Sequence, residues 1–173
     1  MSIAPEEILT RRLRLDRICP EDASLMLAIW NDPSFVRHVG DRGVRTLEEA
    51  ATALRETGLR HWEEQGYGPY RVSLRDGGDA IGICGLFKRP TLDEPDIGYA
   101  LLPPYRGEGY AFEAAAAVRD SARDEMKFSR IAAIVSPDHA RSIHLLENLG
   151  MSFERPIRMP DDDEDISLYA MDL

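Results

Sequence analysis

Between Pro103 and Ala111 the chain reads Pro-Pro-Tyr-Arg-Gly-Glu-Gly-Tyr-Ala, set between a predicted strand and a predicted helix. The two prolines end the strand. Gly107 and Gly109, one residue apart, let the backbone turn tightly and bring its N–H groups into the open. A helix begins at once, so its unpaired N–H groups and positive dipole end point into the same space. That combination suits an anion, best a phosphate or pyrophosphate. It is not a P-loop, because no Gly-Lys-Ser/Thr follows, and it lacks the third glycine and the parallel repeat of the dinucleotide fingerprint. The same glycines would also suit a tight turn with no ligand.

Two flanking stretches add to it: Asp96-Ile97-Gly98-Tyr99-Ala100-Leu101-Leu102 upstream, and Ser136-Pro137-Asp138-His139-Ala140-Arg141-Ser142 running on to Gly150-Met151 downstream. On these residues the sequence resembles the GNAT superfamily of acyl-CoA-dependent N-acetyltransferases. The family's phosphate motif, Arg/Gln-x-x-Gly-x-Gly/Ala, is matched by Arg106, Gly109 and Ala111. The Ile-Gly-Tyr-Ala-Leu strand and the Ser-Ile-x-Leu-Leu-Glu helix look most like the branch of ribosomal-protein N-terminal acetyltransferases, and the resemblance runs from about Thr10 to Leu173.

The resemblance implies acetyl-CoA as co-substrate. Backbone N–H groups of Gly107, Glu108, Gly109, Tyr110 and Ala111, with Arg106, would hold the pyrophosphate, and Leu101 and Leu102 would pair with pantetheine as an added strand does. A backbone N–H near Leu101 would face the thioester carbonyl. Ser142 matches a family serine near the pantetheine arm or thiol. Three residues before it the family has asparagine where this chain has His139, which either reaches the cofactor as well or marks a lost contact.

Transfer requires the amine to lose a proton and the departing thiolate to gain one. Asp96, just before the Ile-Gly-Tyr of the fourth strand, is the leading base, with Asp93 and Glu94 nearby alternatives. Ser142 is the leading acid, Tyr99 and Tyr110 its competitors; an N-terminal helix cap would equally explain Ser142. Trp30, Trp62, Tyr67 and Tyr70 fall where relatives line the acceptor, one or two of them as substrate contacts and the rest as core. Neither Cys19 nor Cys84 has a nucleophile's setting, so direct attack in a ternary complex is expected, without an acyl-enzyme.

The elements that must position these residues follow from periodicity. Leu13 and Leu15 alternate with arginines in an opening strand. A helix over Asp22–Trp30 is stopped by Asp32-Pro33, with Asp22 as N-cap and Leu25, Leu27, Ala28 and Ile29 as its apolar face. Thr46-Leu-Glu-Glu49 is a capping box opening a helix to about Gln65, ended by Gly66. Three strands follow, the first two joined at Asp76-Gly77-Gly78, then an alanine-rich helix to Glu125, a fifth strand, a short helix closed by Gly150, and two last strands across the acidic run. The expected fold is therefore α/β (α+β) in one domain, 1–173. It has a mixed, mostly antiparallel seven-stranded sheet with about four helices packed on it. In the GNAT pattern, strands 4 and 5 are splayed.

Composition sets the outer limits. The 173 residues carry 21 Lys and Arg against 31 Asp and Glu, a net charge of −10; without the run Asp161–Asp165 it is still −5. A nucleic-acid partner or an anionic membrane surface is excluded on that field, which mildly favours a cationic acceptor. No window approaches the roughly 18 to 20 apolar residues of a membrane span, and the N-terminus has charge where a signal peptide is apolar, so the expected location is cytoplasmic. Cys19, Cys84 and four scattered histidines lack metal-ligand spacing, so neither metal nor disulfide is expected. The partner implied is a peptide or small-molecule amine, and a homodimer is compatible with the fold. Two rival readings are an acyl-CoA-binding module without turnover and a binder of another nucleotide's phosphates.

Overall fold

The computed structural model describes residues 3–173. An eight-stranded sheet runs in the order β1-β2-β3-β4-β5-β6-β8-β7, where β1 is Glu7–Leu9, β2 Leu13–Arg17, β3 Pro69–Leu74, β4 Ala80–Phe87, β5 Asp96–Leu101, β6 Arg130–Val135, β7 Ser152–Arg158 and β8 Asp165–Asp172. Every neighbour pair is antiparallel except β5 with β6. The extra strand is β1, three residues too short to show a period, which pairs with β2 at Ile8↔Leu15. The expected splay of strands 4 and 5 therefore falls between β5 and β6.

The helices are α1 (Ala23–Trp30), α2 (Pro33–His38), α3 (Leu47–Leu54), α4 (Arg60–Gln65), α5 (Tyr110–Asp124) and α6 (Ala140–Asn148). Asp32-Pro33 ends α1 as expected but also starts α2: Asp32 Oδ2 accepts from the Phe35 N–H at 3.2 Å, and proline fits the first helical position. The expected helix to Gln65 is one rod, α3 and α4, joined through a π turn at Arg55–Leu59. Its capping box forms in both directions, with Glu49 N–H donating to Thr46 Oγ1 at 3.1 Å and Thr46 N–H to Glu49 Oε2 at 3.0 Å. Gly66 at φ +75° and Gly150 at φ +98° close their helices as expected. Asp22 departs from its expected role: its carboxylate turns back to the Cys19 N–H at 2.9 Å and to Arg71 at 3.3 Å, and does not cap α1. Ala28 is exposed, its place on the inner face taken by Met26 and Trp30.

Leu13, Leu15, Val72, Ile81, Leu86, Val118 and Ile131 fill the core between sheet and helices. Trp30, Trp62, Tyr67 and Tyr70 are all buried there, Trp62 donating to Pro69 O and Tyr70 to Pro5 O, each at 2.8 Å. The acidic run is an exposed connection between β7 and β8, with Asp165 paired to Arg158 at 3.0 Å.

Candidate active site

Only one residue pair, Asp96↔Ala132, joins β5 to β6; beyond it the strands separate. Strand alternation then decides which backbone groups are free. Leu102 N–H donates to Ile81 O at 2.8 Å, so Leu102, Ala100 and Gly98 turn their amides to β4. Tyr99 and Leu101 turn theirs to the gap. Leu101 O accepts from Arg106 Nε at 3.0 Å, which leaves the Leu101 N–H and the Tyr99 N–H and C=O open on that edge. Of the two leucines singled out in the sequence, Leu101 faces the opening and Leu102 does not.

The glycine turn forms as the sequence predicts. Gly107 and Gly109 lie at φ +82° and +81°, where other residues are strained. Among the described residues the backbone N–H groups of Gly107, Glu108, Gly109, Tyr110, Ala111 and Phe112 have no hydrogen-bond acceptor; the first N–H of this stretch with one is that of Glu113. The nest is held from behind by the turn between β1 and β2. Glu113 accepts from Thr10 Oγ1 at 2.6 Å, Arg12 N–H at 2.8 Å and Arg12 Nε at 2.6 Å, while Arg12 Nη1 reaches Glu108 O at 2.9 Å. Burial opposes ionisation of Glu113, yet these donors outweigh it and hold its pKa below the ordinary value.

Arg106 behaves differently from its expected phosphate-binding part. Its Nη2 lies 2.6 Å from Asp32 Oδ2, and its Nε takes Leu101 O. The side chain lines the cavity but is tied to protein, joining the end of β5 to the start of α2. Arg141, unremarkable in the sequence as an exposed helix residue, stands across from Gly107 with no partner among the described residues.

The gap, the nest and the first turn of α6 enclose one cavity of about 600 Å³, also lined by Phe35 and His38 of α2. On its floor Tyr99 Oη and Ser142 Oγ are 2.7 Å apart, and Tyr99 Oη also donates to Ser142 O at 3.3 Å. Two separate candidates for the acid are therefore one hydrogen-bonded pair. Burial pushes the Tyr99 pKa up to about 12, against the lowering pull of Ser142. Tyr110 lines the cavity under the Arg12 guanidinium, 4.4 Å from its ring centre. His139 lines it too, stacked on His38 with ring centres 3.8 Å apart and planes within 6°. Burial, then the His38 charge, lower its pKa, so the ring is neutral at pH 7.

Asp96 is elsewhere. Alternation along β5 puts it on the opposite face from Tyr99, it is 1% exposed, and it does not line the cavity. Both its oxygens accept from Arg89 Nε at 3.0 Å. Burial raises its pKa, with Arg89 opposing. Asp93 is exposed, and Glu94 pairs with Arg130 at 3.3 Å. Both cysteine thiols are pushed up by burial, Cys19 to about 11, which works against a thiolate nucleophile.

A gap between neighbouring parallel strands, an N–H nest at its end and a hydroxyl pair on its floor thus share one cavity. Residues 12–152 match the acetyltransferase (GNAT) domain, and the chain belongs to that family. It is 32% identical to YkkB of Bacillus subtilis over 90% of each chain, and 26% identical to the N-acetyltransferase p20 of Bacillus licheniformis over 88% of this chain and 86% of that one. An acetyltransferase structure from Agrobacterium tumefaciens superposes with a TM-score of 0.80 at 25% identity, covering 99% of this chain and 96% of that one. The fold is also that of RimL, a ribosomal L7/L12 α-N-protein acetyltransferase solved with coenzyme A, at a TM-score of 0.81 and 17% identity over 97% and 98% of the chains. No helix of the described residues is long and apolar enough to cross a membrane.

Proposed function

We propose that this protein transfers the acetyl group of acetyl-CoA to a primary amine by direct attack in a ternary complex. One observation carries the reading: a single cavity holds an N–H nest without internal acceptors, an open strand edge and the Tyr99–Ser142 pair. When bound, acetyl-CoA supplies an acyl group activated as a thioester. The N–H groups from Gly107 to Phe112 hold the pyrophosphate, with Arg141 as the free cation beside them. The open groups of Tyr99 and Leu101 pair with the pantetheine amides, and the Leu101 N–H polarises the carbonyl under attack. The amine enters as the free base; after attack its nitrogen gives a proton to the Tyr99–Ser142 pair as that pair gives one to the departing thiolate, Tyr99 being still protonated at neutral pH. His139 stands at the cavity wall in the place of the family asparagine and contacts the cofactor there. Asp96, sealed behind Arg89, orients that guanidinium and takes no proton from the amine directly.

The test is thermal melting with CoA and acetyl-CoA against ATP and NAD, followed by thiol release with an amine panel. Ligand at about 100 times its Kd adds about 2.7 kcal/mol, or about 5 to 10 °C for a chain of this size. A shift with both CoA species alone, and amine-dependent thiol release, is the expected result. No shift refutes the cofactor assignment; a shift without release with any amine leaves a binding module.

A further inference from the structure

An attacking amine is a free base, yet primary amines are ammonium ions at pH 7, with pKa values of about 10.4 for a lysine-type amine and about 7.7 to 8.0 for an α-amine. Something at the cavity must take that proton. Among the described residues the acids lining it are Asp32 and Asp138, and neither is suited. Asp32 is bound by Arg106 at 2.6 Å and by the Phe35 N–H at 3.2 Å. Asp138 accepts from Ser136 Oγ at 2.6 Å and lies 3.5 Å from Arg37. The Ser136 hydrogen bond above all holds its pKa below the ordinary value, which makes it a poor base.

His139 is better placed. It stands at the head of α6, three residues before Ser142, and both side chains line the cavity. The stack on His38 of α2 fixes the plane of its ring. Neither of its ring nitrogens has a hydrogen-bond partner among the described residues, whereas His144, further along α6, is tied to Asn148 at 3.1 Å. A neutral imidazole has one donor and one acceptor nitrogen, so a cofactor contact through the N–H leaves the other nitrogen able to take a proton.

Charged groups face the ring from each side. After burial, the largest cause, His38 on α2, Arg141 on α6 and Arg106 beyond β5 all lower its pKa, and Asp138 opposes them. Arg37 is turned onto Asp138, and Arg106 onto Asp32. The result is a ring that is neutral, and so able to act as a base, at pH 7. The same cations act on an arriving ammonium in the same sense and favour its free form.

We infer that His139 is the general base of the transfer, taking one proton from the ammonium as the acceptor enters, with His38 holding its ring in position. An N–H bond of the ammonium breaks, its electron pair stays on the amine, and the proton bonds to an imidazole nitrogen. The free base goes on to the thioester, and the imidazolium gives its proton to water beside exposed Asp138. The nitrogen's second proton leaves through Tyr99 and Ser142, so one proton is released for each amide and thiol formed. This rests on the acetyltransferase reading and adds a catalytic residue to it.

The experiment measures kcat/KM by thiol release across pH, at saturating acetyl-CoA, with the best acceptor of the amine panel. In the parent the base serves the ammonium form, so kcat/KM should be level from about pH 6.5 to the pKa of the amine and fall at lower pH as His139 protonates. His139→Asn and His139→Gln cannot take a proton and depend on free amine from solution, so over that span their kcat/KM should climb about tenfold per pH unit. At pH 7 the loss should be about 100-fold or more for a lysine-type amine and about 10-fold for an α-amine, closing as pH nears the pKa of the amine. A CoA melting shift retained in the variants shows that fold and cofactor site survive. A loss that is the same at every pH is that of a cofactor contact alone, and it overturns the inference while leaving the acetyltransferase reading standing. A loss below about threefold at pH 7 does the same. Absence of the CoA shift in the parent, or of thiol release with any amine, overturns both.

Discussion

Tyr99 and Ser142 are 2.7 Å apart, and that distance makes a sharper claim than either residue alone. If the two hydroxyls act as one proton donor, deleting either breaks the same path. General acid catalysis is worth about 100- to 10,000-fold, so Tyr99→Phe and Ser142→Ala should each lower kcat by at least about 100-fold. The double variant should be no worse than the poorer single one. The coupling is then as large as the smaller loss, about 2.7 kcal/mol or more at 1.36 kcal/mol per tenfold. Independent roles would instead multiply to about 10,000-fold or beyond. Each variant loses one net hydrogen bond, about 1 kcal/mol, and should melt about 2 to 4 °C lower without losing CoA binding. The assay is thiol release at saturating amine across pH, with CoA affinity from melting. Because burial pushes Tyr99 up to about 12, this donor gives no alkaline loss of kcat below about pH 10. Single variants within threefold of the parent, or losses that multiply, refute the shared path.

Two further outcomes test the cradle and its wall. Gly109→Ala forces a side chain into φ +81°, about 1 to 2 kcal/mol of strain, while its Cβ meets only Arg12 Nη2, at an ordinary contact distance of 3.4 Å. Gly78→Ala, at φ +70° with nothing within 4 Å, carries similar strain far from the cavity. Both should melt lower by a few degrees, but only Gly109→Ala should shrink the CoA shift; equal shifts would take the cofactor away from the nest. His139 has a folded pKa below its ordinary 6.5, burial being the main cause. The unfolded chain therefore protonates first as pH falls, so this contribution is complete above about pH 6.5 and is lost on acidification below it. His139→Asn should flatten the fall in melting temperature between about pH 7 and 5, leaving a residue from His61, which burial also lowers. An unchanged slope contradicts the assignment.

How far the site could be read from the sequence depended on whether local chemistry fixed the outcome. Gly107 and Gly109 were legible because their conformation is a property of the residue type, and the capping box at Thr46 because both its bonds are short-range. α2 was hidden, since Asp32-Pro33 can stop one helix and start the next with the same atoms. The partnership of Tyr99 with Ser142 joins residues 43 apart, and that of Arg106 with Asp32 residues 74 apart; neither leaves a trace in spacing. Arg106 shows the consequence. A motif match places the arginine at the glycine turn, while only the fold reveals that its guanidinium closes a link between β5 and α2.

Asp96 marks the limit most clearly. Its position just before Ile-Gly-Tyr is near enough to the reacting centre to suggest a base, and sequence distance cannot separate neighbours that alternate across a sheet. One residue of register decides that Tyr99 faces the cavity and Asp96 the other side, where a carboxylate left alone would be costly. Arg89 resolves that cost through Nε, which both oxygens of Asp96 accept from. The net charge of −10 is just as blunt a guide to the acceptor. A total charge sums over the whole surface, but an acceptor meets only the few groups within a screening length of about 8 to 10 Å.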